Sequence, residues 1–295
     1  MKYRTDLAVE NIENLSESGV RPGEKDGVII EKEQIDEDIR VIGVEVVNVK
    51  GEVLMGKPQG RYVTIEVDGI IDEKDGIRER AARALAAELG KMVRHRYGLK
   101  VLVVGLGNEN VTPDSLGPAT LDKVRITSHL FRIFERDGDH EMSDVSGIAP
   151  GVTATTGMET AELIRKTVEM IQPDAVIAID ALAARNIARV STTIQLSDTG
   201  IAPGAGMGNM RKELNEETLG IKVIAVGVPT VIDSKTVILE ALEELQIPEA
   251  DAAAYFDGRA FDMVVTSTDI DLITASFSDI IAKAINITLH PGIYS

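Results

Sequence analysis

Three short apolar runs, residues 101–104 (VLVV), 175–179 (AVIAI) and 222–228 (KVIAVGV), limit the possible folds more than any other feature of this chain. A strand with one face in water alternates apolar and polar residues, whereas an unbroken apolar run is covered on both faces, as in a parallel sheet flanked by helices. Helical patterns lie between these runs. Ala81, Leu85, Leu89 and Met92 mark one apolar face over 77–97, and similar spacing predicts helices over about 158–171, 234–245 and 269–289. The fold class that follows is α/β, a mostly parallel sheet with helices on both faces. Three further strands are expected at 28–30, 41–49 and 62–67, rich in β-branched residues and separated by turn formers such as Gly51, Gly56, Pro58 and Gly60. Residues up to Gly27, punctuated by Gly19, Pro22 and Gly23, read as an exposed leader with little regular structure. Neither a repeat nor a composition break divides the remainder, so one domain is expected.

Composition excludes several functions. Lys and Arg are outnumbered by Asp and Glu to a net charge of −17, which repels a phosphate backbone, and aromatics at 3% supply no stacking platform, so direct nucleic-acid binding is not expected. Without cysteine there is neither a disulfide framework nor a thiolate metal site. No apolar signal core opens the chain and no run of about 18 apolar residues follows, so the expectation is a cytoplasmic protein with no membrane partner.

In open α/β sheets the chemistry gathers beyond the carboxyl ends of the strands. Two carboxylates fall there: Asp180 ends AVIAI, and Asp114 lies in the loop of residues 105–117 after VLVV. Each has a plain alternative as a helix cap, Asp180 for a helix starting at Ala181 and Asp114 for one starting near Ser115. Together they can share a proton, one serving as general base on water and the other as acid. The glycines offer a competing site. Gly105 and Gly107 lack the third glycine of a dinucleotide turn, and the loop containing Gly204, Gly206 and Gly208 lacks the Gly-Lys-Ser/Thr ending of a nucleoside-triphosphate loop. That second loop reads as a flexible substrate-side loop or a tight turn. His95, His129, His140 and His290 show no metal-ligand spacing, so no metal and no cofactor are expected; His95 reads as a partner of a helix C-terminal dipole. Ser115 and Ser146 are not in a nucleophile elbow.

Six blocks, RTDLAVE from Arg4, GLGNENVTPDSLGP from Gly105, APGVTATTGMET from Ala149, AIDALAAR from Ala178, SDTGIAPGAGMGN from Ser197 and VGVPTVID from Val226, resemble the germination protease family of spore-forming bacteria. The resemblance implies an endopeptidase that degrades small acid-soluble spore proteins at germination, located in the spore core. It also implies a phosphorylase/hydrolase-like fold similar to the hydrogenase-maturation peptidases, a homotetramer, and catalytic aspartates at Asp114 and Asp180. Family substrates are cut after an acidic residue and before a hydrophobic one followed by Ala. Asp6-Leu7-Ala8 repeats that pattern, so residues 1–6 resemble a short propeptide released by self-processing between Asp6 and Leu7, ahead of a domain spanning 7–295. The alternatives are a non-catalytic or nucleotide-binding α/β module and a nickel-binding peptidase of the hydrogenase-maturation kind.

Overall fold

A computed structural model describes residues 5–133, 141–202, 212–247, 255–256 and 263–294. The strands are β1 (Val28–Gln34), β2 (Ile39–Val46), β3 (Gly60–Val67), β4 (Lys100–Gly105), β5 (Asp144–Ile148), β6 (Ala175–Ala184), β7 (Thr193–Ser197), β8 (Lys222–Asp233) and β9 (Val264–Thr266). They join in one sheet in the order β1-β2-β3-β7-β8-β6-β4-β5, with β9 also paired to β8. The three apolar runs are β4, β6 and β8. They pair in parallel with one another, as does β5 with β4, and form the expected parallel core. From β8 outward, β7, β3, β2 and β1 pair antiparallel, so the α/β sheet carries an antiparallel wing.

The helices that position the site are α1 (Ala8–Glu17), α2 (Val49–Met55), α3 (Ile77–Met92), α4 (Leu116–Leu121), α5 (Ser128–Ile133), α6 (Thr153–Thr156), α7 (Thr160–Ile171), α8 (Glu216–Leu219), α9 (Ser234–Glu244) and α10 (Ile270–Leu289). On one face of the sheet, α3 and α10 bury Leu85, Leu89, Phe277 and Ile281 against Val103, Ile177, Ile179 and Val226. The opposite face carries two separate apolar clusters. One joins Leu7, Ala8 and Val9 to Val44, Val46, Tyr62 and Leu182, and the other joins Ile164 and Val168 of α7 to Leu102, Val176 and Ala178. By length and hydropathy α10 is apolar enough to cross a membrane, but most of it is buried against α3 and α4, the position of a core helix.

Two expectations are corrected here. The leader is not irregular: Leu7 and Ala8 are fully buried, and α1 starts at Ala8 because Leu7, Ala8 and Val9 cover the sheet while Glu10 caps backbone amides at the end of β6. The basic segment after α3 is not a helix end. The helix stops at Met92 because Val93 is extended, and His95 instead faces Ser143, its Nδ1 3.0 Å from the hydroxyl oxygen.

Asp38 ties the antiparallel wing to α3. Its buried carboxylate accepts from Lys74 and from Arg80 (2.7 Å), and the Lys74 bond first, then the Arg80 bond, holds it below the ordinary value of 3.8. A depressed carboxylate adds stability that is present above its unfolded pKa and lost as pH falls through the folded value. Asp38→Asn should therefore lower the melting temperature at neutral pH, and the gap from the parent chain should close as the pH falls below about 4. Thermal melts of both chains across pH 2–7 check this, with a gap that stays constant counting against the carboxylate.

Candidate active site

The strand carrying Asp180 does not end there. It continues to Ala184, so Ala181 is in a strand and Asp180 caps no helix; its Oδ1 accepts from the Ala181 amide (3.0 Å). Aspartate is a poor strand residue, and it is kept here among apolar neighbours at 4% exposure. Alternation along β6 fixes its direction. Val176 and Ala178 belong to the α7 cluster and Leu182 and Ala184 to the α1 cluster, so Asp180 stands on the same face at the boundary between the two.

The register shows how that boundary is built. Asp180 lies opposite Gly227 of β8, and Gly227 lies opposite Gln195 of β7. Residues in one cross-strand row share a face, which places the Asp180 and Gln195 backbones two strand spacings, about 10 Å, apart, with the Leu182 side chain packed over Gly227 between them. A Cβ on Gly227 would fall 2.5 Å from Leu182 Cγ, so glycine is required there. The resulting cleft of about 250 Å³ is lined by Asp180, Gln195, Tyr62, Lys57, Ser197 and Asp6 among others. Tyr62 donates its hydroxyl to the Pro58 carbonyl (2.8 Å), and burial pushes its phenol up to about 12, so it is neutral.

Asp114 is the last residue of a 3-10 turn, Thr112–Asp114, and α4 follows at Leu116 with Ser115 as its flanking residue. The turn packs beside β6 and β8, and Thr230 of β8 donates to the Pro113 carbonyl (2.6 Å). Its return onto the sheet is close: Leu106 N–H donates to Ile179 O (2.8 Å), and a Cβ on Gly117 would meet Leu106 O at 2.1 Å. The loop thus sets the turn bearing Asp114 beside the strand bearing Asp180. Of the two carboxylates, Asp180 lines the described cleft and Asp114 does not. Gly204, Gly206 and Gly208 lie outside the described residues.

Into this cleft runs the Asp6–Leu7 segment. β4 stops pairing at Gly105 opposite Ile179, which leaves the rest of that edge of β6 open. Asp6 takes it: its N–H donates to Ala183 O (3.0 Å), and its Oδ2 accepts from Ala183 N–H (2.8 Å). The Asp6 carbonyl oxygen accepts from Lys57 Nζ and from Gln195 Nε2, each at 2.9 Å. Gln195 Oε1 accepts from the Ala8 amide (2.7 Å), so one side-chain amide spans the Asp6–Leu7 peptide. Burial pulls the Lys57 ammonium below the usual lysine value, against the attraction of the Asp6 and Glu10 carboxylates. Glu10, 1% exposed, accepts from the amides of Arg185 (2.8 Å) and Asn186 (2.9 Å) and from the Thr5 hydroxyl; burial outweighs these bonds and raises its pKa.

The model of the germination protease family matches residues 5–246, more than half of the chain. The chain belongs to the germination protease family. It is 43% identical to the germination protease of Clostridium perfringens over 98% of this chain and 95% of that protein, and 40% identical to that of Clostridium tetani over 99% and 97%. The germination protease of Oceanobacillus iheyensis is 47% identical over 82% of this chain and 67% of its own. Membership makes the chain a peptidase of spore germination. For a germination protease, the cleft contains two residues that sequence reasoning missed, Lys57 and Gln195. A buried glutamine between Ile194 and Leu196 in a wholly buried strand was the available signal for one of them; Lys57, in a turn, had none.

Proposed function

We propose that this chain is an endopeptidase that starts the breakdown of small acid-soluble spore proteins, cutting after Asp or Glu and before a hydrophobic residue followed by Ala. It is made as a zymogen and cuts its own Asp6–Leu7 bond, with Asp114 and Asp180 as the carboxylate pair. The observation that carries this reading is the Asp6 carbonyl, held inside the cleft that Asp180 lines. The surroundings match each part of the cut pattern. The acidic side chain before the bond meets the Ala183 amide, while Leu7 and Ala8 fill fully buried sites that suit a hydrophobic residue followed by a small one.

One carboxylate takes a proton from water as its oxygen attacks the Asp6 carbonyl carbon, and the other gives a proton to the departing Leu7 nitrogen. The products are a carboxylate at Asp6 and an amine at Leu7. This chemistry uses no metal, so chelators should leave it unchanged. By resemblance to the family, the protein is a homotetramer of the spore core that acts on substrate free of DNA.

Processing should be faster in mild acid, where one proton is more readily placed on a carboxylate pair. The Glu10 anchor persists there: with its pKa raised above 4.5, its contribution to stability is full below that value and declines as pH rises through the folded one. The test is to incubate the full chain at mildly acidic and neutral pH, with and without chelator, beside a peptide of the acidic-hydrophobic-Ala pattern. Mass spectrometry should find a new N-terminus at Leu7, formed faster in acid and insensitive to chelator. Peptide cleavage by a chain still intact at Asp6–Leu7 would refute the zymogen reading, and activity lost with metal and restored by it would refute the metal-free mechanism.

A further inference from the structure

We propose that Lys57 and Gln195 are catalytic, forming the pair that stabilises the oxyanion on the residue before the cut, in the leader and in separate substrates alike. This rests on the reading that Asp6–Leu7 is a bond the enzyme cuts.

The argument starts from the geometry. A peptide carbonyl within a chain ordinarily accepts from backbone amides, yet the Asp6 oxygen accepts from two side chains on different elements, Lys57 from the turn before β3 and Gln195 from β7. Both donors stand at 2.9 Å, hydrogen-bonding distance from the atom that carries the charge once the carbonyl is attacked. When water adds to the carbonyl carbon, the π electron pair moves onto this oxygen, which becomes an alkoxide. A cation and an amide dipole already aimed at it stabilise that charge without reorganising. On collapse the pair returns to re-form the carbonyl, the C–N bond breaks, and the nitrogen keeps its electrons and takes the proton supplied by the acid. No further reactant is needed.

The orientation of Gln195 is fixed by its neighbours. Its oxygen meets an N–H and its nitrogen meets a carbonyl oxygen, so reversing the amide would oppose like groups at both ends. The same side chain therefore aligns the residue two places beyond the cut while it polarises the bond. Position in the sheet adds to this. Gln195 shares its cross-strand row with Asp180 through Gly227, so a carboxylate and an oxyanion donor face one opening from opposite sides.

A competing role for the same contacts is to clamp the leader and nothing more. The two roles predict opposite signs. If Lys57 only clamps, Lys57→Met frees the cleft and raises cleavage of an added peptide; if it stabilises the oxyanion, Lys57→Met lowers it.

The experiment measures the first-order rate of self-cleavage, and kcat and KM on an acidic-hydrophobic-Ala peptide, for the full chain and for Lys57→Met, Lys57→Arg, Gln195→Glu and Asp180→Asn. Losing one oxyanion donor typically costs about 10²–10³-fold in kcat, so Lys57→Met should lose about 10²-fold in both reactions with KM nearly unchanged. Lys57→Arg, which keeps a cationic donor, should recover part of the loss. Gln195→Glu keeps an acceptor for the Ala8 amide but sets negative charge on the reacting oxygen, so it should lose at least as much as Lys57→Met. A rise in kcat, no change in it, or a loss confined to KM would overturn the proposal even while Asp180→Asn is inactive. A parent chain that cuts neither its leader nor the peptide would overturn the proteolytic reading, and the pair's role with it. Should Lys57→Met fail to fold, the contrast between Lys57→Arg and Gln195→Glu decides.

Discussion

Asp180→Asn and Asp114→Asn should each lower cleavage by about 10²–10⁴-fold while the chain stays folded. The structure gives the reason that folding survives in both. At position 180 asparagine keeps the shape and the oxygen that accepts from the Ala181 amide, and the strand around it is held by the pairing of β6 with β8. At position 114 the turn is held by backbone bonds, with Asn108 N–H donating to Asp114 O (3.0 Å) and Asp114 N–H to Val111 O (2.8 Å). What either substitution removes is a group able to exchange a proton with water or with the leaving amine. The measurement is single-turnover self-cleavage, beside a thermal melt for each variant. Because Asp180 lines the cleft and Asp114 does not, Asp114→Asn is the sharper test: near-normal turnover by that folded variant would remove Asp114 from the mechanism.

Phe277→Ala should destabilise the protein by about 3–5 kcal/mol, the range for deleting a buried aromatic side chain. Phe277 is fully buried on α10, and this helix covers the central strands together with α3. For a chain of this size the cost corresponds to roughly 10 °C in melting temperature. Met170→Ala on α7, at a side chain 77% exposed, is the control and should stay within about 0.5 kcal/mol. Equal melting temperatures for the two variants would mean that the α3 and α10 layer is not where the stability resides.

What could be read from sequence follows burial. The runs VLVV, AVIAI and KVIAVGV announced the parallel core because no polar residue interrupts them, and α3, α7, α9 and α10 were legible from one apolar face each. The same rule cut β6 short: Asp180 looked like the end of a strand because carboxylates are rare within one, and the five residues from Asp180 to Ala184 form the part of β6 that bears the site. Strands β5 and β7 were missed since Ser146, Gly147 and Gln195 dilute their pattern, and α1 was missed since its burial depends on a sheet formed far along the chain. Asp180 was singled out by its place directly after AVIAI, and it lines the described cleft. The Lys57 and Gln195 pair was out of reach, because the two lie 138 positions apart (195 − 57) and meet only around the carbonyl of a third segment.

The seating of Asp6 along β6 also has a kinetic side. While the Asp6–Leu7 bond is intact, any incoming peptide competes with a tethered rival whose effective concentration is of millimolar order and does not change on dilution. α1 stays docked through Leu7, Ala8, Val9 and Glu10 whether or not the bond is cut, so cutting frees only the part ahead of Leu7. That part then keeps its seat through non-covalent contacts only, among them the Asp6 bonds to Ala183, Lys57 and Gln195 and the Thr5 hydroxyl bond to Glu10, and its occupancy falls with its bulk concentration. Cleavage thus turns a first-order block into a second-order one. A burst of peptide hydrolysis should follow dilution of freshly processed protein, and dilution of the unprocessed chain should produce none.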